Sequence, residues 1–532
     1  MHSLVFMLVV IVGCGRTPEP TPITGSWAAP PLLAHVPDDS PYVIGSLQPM
    51  RDSLSMMRGA EAPVADVLAA LDEADPADRS QLPPHIRALI VLFEELRGKP
   101  ADQWWSTLGL STDNTFVLYG HTLWPVLRVV IANPERVRSL LERMAKAAAL
   151  DVAPIPHANG TYWVYRHESI AVIIAIDSNR RELIASVVHR DVVTEMVAHL
   201  LGPLPASNLA TTRRVPDLLA KHSLSLLAFG YVDVEQLLAA YDRPMRAIDR
   251  PWRTLLPNAS RACRADLGRL RDAIPRIIFA YRRIDGQSFD FSTILELPNS
   301  ATTALAGMQT TVPALPAFRV RPVFAVGAAV DTEQLLAWTR GLAKTWLDRG
   351  ERCEWFASFD RGIASLATEL GDPKYTAYGL RGGTFIVDEL DLNARQAVGD
   401  ILLVGDRVHA LPALLGPLLP AQAQLPIAAD GRPIPVPLTH LNLPWSVHIG
   451  RLGDRIALAV GPDSARRVSA RLDAPAVRAP LFSFESDFVK LDELQREEED
   501  EKPRKLDWAR IWLEVRDGAL DLRMRGKWRD DY

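Results

Sequence analysis

The 532-residue sequence is poor in the residue patterns that mark a reaction. It contains no HExxH, no Walker A glycine loop and no GxSxG, so zinc-protease, P-loop and nucleophile-elbow chemistry have no local signature. Its twelve histidines are scattered. His440 and His448 are the best spaced, but Pro444 separates them, and two solvated or core-edge histidines explain them better than a metal site. Cysteine is scarce: there are three, none in a CxxC pair, which argues against zinc ribbons and thioredoxin-like centres. The net charge is −5 with no concentrated basic stripe, so nucleic acid is not an expected partner. Beyond residue 14, no apolar run approaches the roughly 20 residues that cross a bilayer as a helix. No catalytic residue, metal ligand or cofactor is therefore expected.

What is present begins at the N-terminus. Leu4 to Val12 is a short apolar run, followed by Gly13 and Cys14. It is too short to span a membrane and has signal-peptide length. Ile11-Val12-Gly13-Cys14 resembles the lipobox of bacterial lipoproteins, in which an aliphatic and a small residue precede a cysteine that is acylated and becomes the mature N-terminus. One departure is the lack of Lys or Arg ahead of the apolar run, where only the terminal amine and His2 stand. The resemblance implies a signal peptide over residues 1–13 and palmitate-type chains on Cys14. It also implies a cell-envelope location, with the membrane as partner through the lipid. Gly15, where Asp would favour inner-membrane retention, points to the outer membrane. Residues 14–35 form a tether. Its Thr-Pro-Glu-Pro-Thr-Pro stretch excludes helix and central strand, and it extends at roughly 3.1 Å per residue where it is polyproline-like.

With Cys14 assigned to lipid, Cys263 and Cys353 remain. In an oxidising compartment such a pair is a disulfide candidate.

The rest of the chain follows one plan twice, with lobe one at 36–300 and lobe two at 315–532, joined near Pro313-Ala-Leu-Pro316. Val36-Pro-Asp-Asp-Ser-Pro-Tyr-Val43 opens the first lobe, and Val320 to Gly327 the second. The first segment is similar to the start of a loose group of exported bacterial lipoproteins, a likeness that carries no activity. Thr115-Phe116 and Thr384-Phe385 each begin a strand. The strand Leu127–Ile131, capped by Asn133-Pro134 ahead of a helix over Glu135–Leu150, is matched by Asp400–Val404 and Val408–Leu415. The hairpin Tyr162–Ile176, followed by a helix over Arg180–His189, is matched by Ser446–Val460 and a helix over Ala465–Leu472. Leu224–Leu238 matches Leu481–Leu491. Each half closes on a hairpin at Asp-Gly, a strong turn signal because both central residues take φ > 0: Asp285-Gly286 and Asp517-Gly518. Hairpins imply antiparallel pairing, so the expected class is α+β: two tandem, similar lobes of antiparallel-rich sheet with helices packed on one face. A Cys263–Cys353 disulfide would then join the lobes.

The remaining features have ordinary explanations. Gly379-Leu-Arg-Gly-Gly383 could cradle an anion but reads as a tight turn before a strand. Asp233, Glu235, Asp331 and Glu333 fit helix starts. Glu497–Glu501 reads as a solvated loop inserted in the second lobe. In Trp104-Trp105, adjacent residues cannot share one side of a regular element, so one is expected at the surface or a cleft, with core or interface packing favoured over a stacking platform for a sugar or aromatic ligand. The function expected is a membrane-tethered, non-enzymatic binding or scaffold protein, with an envelope protein as a partner. A periplasmic carrier of a lipid or apolar ligand is the alternative, and an envelope hydrolase ranks third.

Overall fold

The computed structural model describes residues 29–48, 61–73, 81–113, 115–242, 260–284, 287–313, 321–372, 376–391, 396–410, 427–437, 445–495 and 506–529. Cys14, residues 15–28 of its tether, His440, Asp285-Gly286 and Glu497–Glu501 lie outside the described residues. The tether expected to run to residue 35 ends earlier, because Pro31–His35 form a 3-10 turn that buries Leu32, Leu33 and His35 in the folded chain. The chain is α+β and divides into two compact units. The first comprises Met1–Ala259 and Leu270–Thr293, with the last three residues; the second comprises Ser260–Arg269 and Ile294–Arg529.

The first unit opens with β1 (Tyr42–Ser46) and the helices α1 (Glu61–Glu73), α2 (Pro84–Leu96) and α3 (Trp104–Leu108). The hairpin β2 (Phe116–His121) and β3 (Trp124–Val130) leads to α4 (Pro134–Ala147). Four strands follow, β4 (Ile155–His157), β5 (Gly160–His167), β6 (Ile170–Asp177) and β7 (Glu182–His189). Then come α5 (Val193–Leu201), α6 (Arg214–His222), β8 (Phe229–Asp233) and α7 (Val234–Asp242), followed by α8 (Arg261–Ala273), whose residues up to Arg269 belong to the second unit. The hairpin β9 (Arg276–Ile284) and β10 (Ser288–Glu296) closes it. The strands lie in the order β4-β5-β6-β7-β3-β2-β1-β8-β9-β10.

The second unit contains α9 (Asn299–Met308), β11 (Thr311–Pro313), β12 (Phe324–Ala328), α10 (Thr332–Leu347), α11 (Ala357–Glu369), β13 (Leu380–Asp391) and β14 (Gln396–Gly405). It continues with β15 (Ile434–Pro435), β16 (Val447–Leu452), β17 (Arg455–Val460), α12 (Ser464–Asp473), β18 (Ala476–Arg478), β19 (Phe482–Asp487), α13 (Phe488–Gln495), β20 (Leu506–Arg516) and β21 (Ala519–Trp528). The main sheet runs β15-β16-β17-β14-β13-β12-β19-β20-β21, antiparallel throughout. Strand for strand this is the first unit's order from β5 to β10. Equivalent inner strands of the two sheets, β1 and β12, pair on both sides.

Local sequence explains the helix starts. Asn133 Oδ1 accepts the Arg136 amide at 3.0 Å with Pro134 at the first helical position, which satisfies a donor that the helix cannot. Asp331 Oδ1 accepts the Gln334 amide at 3.0 Å, and the Gln334 side chain returns to Asp331 Oδ2 at 2.9 Å. The start of α12 departs from this pattern: Asp463 takes φ 57° and makes no side-chain cap.

The helix expected over Arg180–His189 is instead the strand β7. Asp177 Oδ1 accepts the amides of Asn179 and Arg180 at 3.0 and 2.9 Å. A carboxylate reaching forward to two amides can start a helix or close a turn, and here it closes the β6–β7 turn. After it, burial alternates residue by residue from Glu182 to His189, the period of a strand. The internal match therefore shifts by one strand: β6–β7, not β5–β6, corresponds to β16–β17, and α5 corresponds to α12. The division between units also falls inside β10, not near Pro313–Pro316, and places α9 and β11 in the second unit.

Candidate functional site

Alternation along the strands gives each sheet two faces. On one face of the first unit, Val43, Tyr119 and Tyr231 lie side by side and are fully buried. Two residues along, Arg128 stands on β3 between Val117 and Ile184, 1% exposed. Its Nη1 donates to Glu182 Oε2 at 2.6 Å, its Nη2 to the Leu200 carbonyl of α5 at 2.7 Å, and its Nε to the Tyr119 hydroxyl at 3.4 Å. The other Glu182 oxygen lies 3.1 Å from His35 Nε2. The Tyr119 hydroxyl is 3.0 Å from His199 Nε2, and the His199 ring stacks on His121 with centroids 3.6 Å apart.

Burial pushes His199 down to about 2, helped by His121, Arg128 and His35, so its ring is neutral at physiological pH. Burial also raises the Tyr119 hydroxyl, against the pull of Arg128. For Glu182 burial works upward, but the His35 hydrogen bond and the Arg128 charge outweigh it and hold the carboxyl below its usual range. The network compensates a buried cation and acts as a structural lock. Sequence reading missed it, although the signal was an arginine inside the apolar strand Leu127–Ile131.

The second unit solves the same position differently. Aligning Gly45 with Gly327 in the ladders sets Arg128 against Leu402, Tyr119 against Ile386 and Val126 against Asp400. Leu402 packs with Ala457, Ala459, Val468 and Leu472. The carboxylate now sits on the strand and the cations on the helix: Asp400 is 2.9 Å from both Arg467 Nη2 and Arg471 Nε of α12. Arg467 also binds Asp388, and Arg471 donates to the Thr384 hydroxyl.

The opposite face of the second sheet is the candidate binding surface. Directly opposed residues share a face, so the registers define straight rows. One row reads Leu458, Ile401, Phe385, Val326, Phe484, Ile511, Met524. The next reads Ile456, Leu403, Gly383, Ala328, Phe482, Leu513, Leu522. The third reads Val460, Gly399, Val387, Phe324, Ser486, Ala509, Gly526. Ser486 is the single polar side chain among them, and it donates to the Val323 carbonyl at 2.9 Å. No position is charged. Phe385, Phe482 and Leu522 are 40, 40 and 43% exposed, and most of the others are half-buried. The first unit carries a matching row, Trp163, Ile174, Ala185, Leu127, Leu118, Ile44, Gly230 and Phe279, but none of these is exposed.

The residues singled out by sequence are placed as follows. Cys263 and Cys353 form a disulfide, and both belong to the second unit, so it does not join the two units as expected. Beside it, Asp266 accepts the Cys353 amide at 3.1 Å and pairs with Arg349 Nε at 2.9 Å. Glu354 lies with the two sulfurs in a group whose ligand atoms fall within 4.8 Å of one another. While the disulfide is closed, the sulfurs offer no thiolate to a metal. His448 Nδ1 is 2.8 Å from the Ser464 hydroxyl. In the glycine loop, Arg381 is bound to Asp454 and lies 3.4 Å from Asp406, so its charge is already compensated. Asp233 Oδ1 caps α7 through the Gln236 amide at 3.0 Å, while its other oxygen binds Arg214 and Arg276. Glu333 pairs with Arg407. Trp104 and Trp105 are both buried, packing with Leu96 and Ala101 as the core reading expects, and neither reaches the surface. Trp104 Nε1 donates to the Lys99 carbonyl at 2.9 Å.

The fold and the surface thus define a tandem α+β protein with an apolar sheet face that is exposed at Phe385, Phe482 and Leu522 and packed against Val408 and Val436 at its β14–β17 end. No protein-family model, curated protein or solved structure matches the chain.

Proposed function

We propose that this chain is a membrane-tethered, non-enzymatic binding protein of the cell envelope, anchored through acyl groups on Cys14. Its binding surface is the apolar face of the second unit, and its ligand is a lipid or another apolar molecule. The observation that carries this reading is the set of three uncharged rows crossing seven strands. A protein interface normally spends about one hydrogen bond per 100–200 Å². These rows offer almost none from side chains, which favours a hydrocarbon ligand. Fully burying a Phe or Leu side chain contributes about 1.5–3 kcal/mol. Completing the burial of three that are about 40% exposed is therefore worth on the order of 3 kcal/mol, before the half-buried neighbours add theirs.

The test is mass spectrometry of what co-purifies with the native protein extracted gently from its own membranes, alongside a fluorescent fatty-acid titration. A bound lipid, with weaker titration in Phe385→Asp, is the expected result. A stoichiometric protein and no lipid would replace the carrier reading with a scaffold. Cys14→Ser is expected to turn tight membrane association into a weaker one that is lost on dilution and washing, and retention as tight as that of the unchanged chain would remove the anchor.

A further inference from the structure

The helical hairpin of the second unit has its own exposed apolar surface, separate from the sheet. Its arms are α10 and α11, joined through Asp348–Phe356. Residue α11 by residue, burial is confined to Asp360. That carboxylate faces inward, accepting from Trp346 Nε1 at 2.8 Å and from Arg349 Nη2 at 2.5 Å. Ile363 and Ala367 lie half-buried on the same side, but Phe359 and Leu366 point elsewhere. Phe359 is 53% exposed and Leu366 41%, two turns apart, and Leu342 on α10 is 50% exposed. Trp346 meets Phe359 edge-on at 5.5 Å and Phe356 at 5.8 Å, so aromatic rings cluster near the bend. Trp355 is 39% exposed beside them. A globular protein normally turns such a stripe inward.

The hairpin is stiff. The Arg349 guanidinium lies 4.2 Å from the Trp346 ring centroid and bridges Asp266 and Asp360. The disulfide fixes Cys353 to Cys263 at the same point. The exposed side chains are thus held on a rigid mount.

We infer that this hairpin docks on a lipid bilayer, seating Phe359, Leu366 and Leu342 in the interfacial layer. The inference rests on the tether in the proposed function. From Cys14 to Ala29 is fifteen residues, a reach of at most about 50 Å. A tether that short holds the folded chain against the bilayer surface, where a weak apolar contact gains from high local concentration. Aromatic and aliphatic side chains on a helix are the usual occupants of the interface, and an acyl anchor becomes stable when a second contact joins it. Charge has a smaller part. Arg340, Lys344, Arg352 and Arg361 enter no ion pair among the described residues, but Asp348, Glu351 and Glu354 nearly offset them.

The experiment is flotation of the full chain carrying Cys14→Ser with vesicles of phosphatidylethanolamine and phosphatidylglycerol. The unlipidated chain is expected to float with the vesicles, and adding Phe359→Ser and Leu366→Ser should lower the bound fraction at least about tenfold. Leu452→Ser, at an exposed apolar site elsewhere on the second unit, should leave it unchanged. Unaltered thermal melting confirms that the variants fold. Equal flotation with and without the hairpin substitutions, or no flotation of the parent, overturns the inference. The mass of the native chain tests the anchor separately. An unacylated Cys14 would remove the tether while flotation still decides the hairpin.

Discussion

The two units share a strand order but not a buried chemistry. Where the first hides Arg128, the second hides Leu402, and where the first has Val126 the second has Asp400. The helix-covered face has exchanged an arginine on the strand for arginines on the helix. The apolar rows of the other face have kept their character across the same strands. A buried charge can be compensated from several directions, by Glu182 and the Leu200 carbonyl in one unit or by Asp400 in the other, so each solution is local. The uncharged face has no such freedom, because none of its side chains offers a partner to a charge placed among them. What is retained between the units is the ladder and the uncharged face.

The comparison can be broken in several places. The largest effect belongs to the disulfide, which has a 90-residue separation and no counterpart in the first unit. Reduction should cost the second unit about 4–5 kcal/mol in the chain-entropy model. Hydrogen exchange should show its protection falling while that of β5–β7 persists. Next, Arg128→Leu imitates the second unit but strands Glu182, and should cost about 3–5 kcal/mol in urea unfolding. Adding Glu182→Leu should recover most of that loss; no recovery would show that the network is more than a compensated pair. Leu402→Ala should cost about 2–5 kcal/mol through the cavity it leaves.

Acid should act on the first unit through Glu182. Its folded pKa lies below the ordinary carboxylate value, so its stabilisation is present above that value and lost as the pH falls through the lowered one. As the pH is lowered from about 4.5, stability should therefore fall less steeply in Glu182→Gln. The smallest contrast lies at the helix starts. Asn133→Ala should cost about 1 kcal/mol. Asp463→Gly should change stability by less than about 0.5 kcal/mol, since Asp463 makes no side-chain cap and already has a positive φ. Equal melting shifts in the two variants would contradict this reading of the caps.

Much of the frame was legible because turns and caps are local. Asn133-Pro134 and Asp517-Gly518 announce their geometry within a few residues, and the paired openings at Tyr42–Gly45 and Phe324–Gly327 occupy equivalent strands. β7 was misread because Asp177 has the same short-range chemistry in a turn as in a cap. Only pairing with β3 and β6 settles its conformation. The candidate face was less legible still. Alternation in β12 or β20 looks like ordinary half-burial, and the uncharged rows emerge only when seven strands are placed in register. Trp105 shows the reverse error: side-by-side indoles suggested a surface ring, but a short helix beside a 3-10 turn buries both.

The division of the chain bears on its manufacture. Ser260–Arg269 belongs to the second unit, yet the residues on both sides of it belong to the first. The units are threaded through one another in sequence, so no single cut yields two complete halves. A chain synthesised N-terminus first presents the Cys263 thiol well before Cys353 arrives. The first unit must therefore be finished around a segment whose partners have yet to emerge, and oxidative closure comes late in the molecule's history.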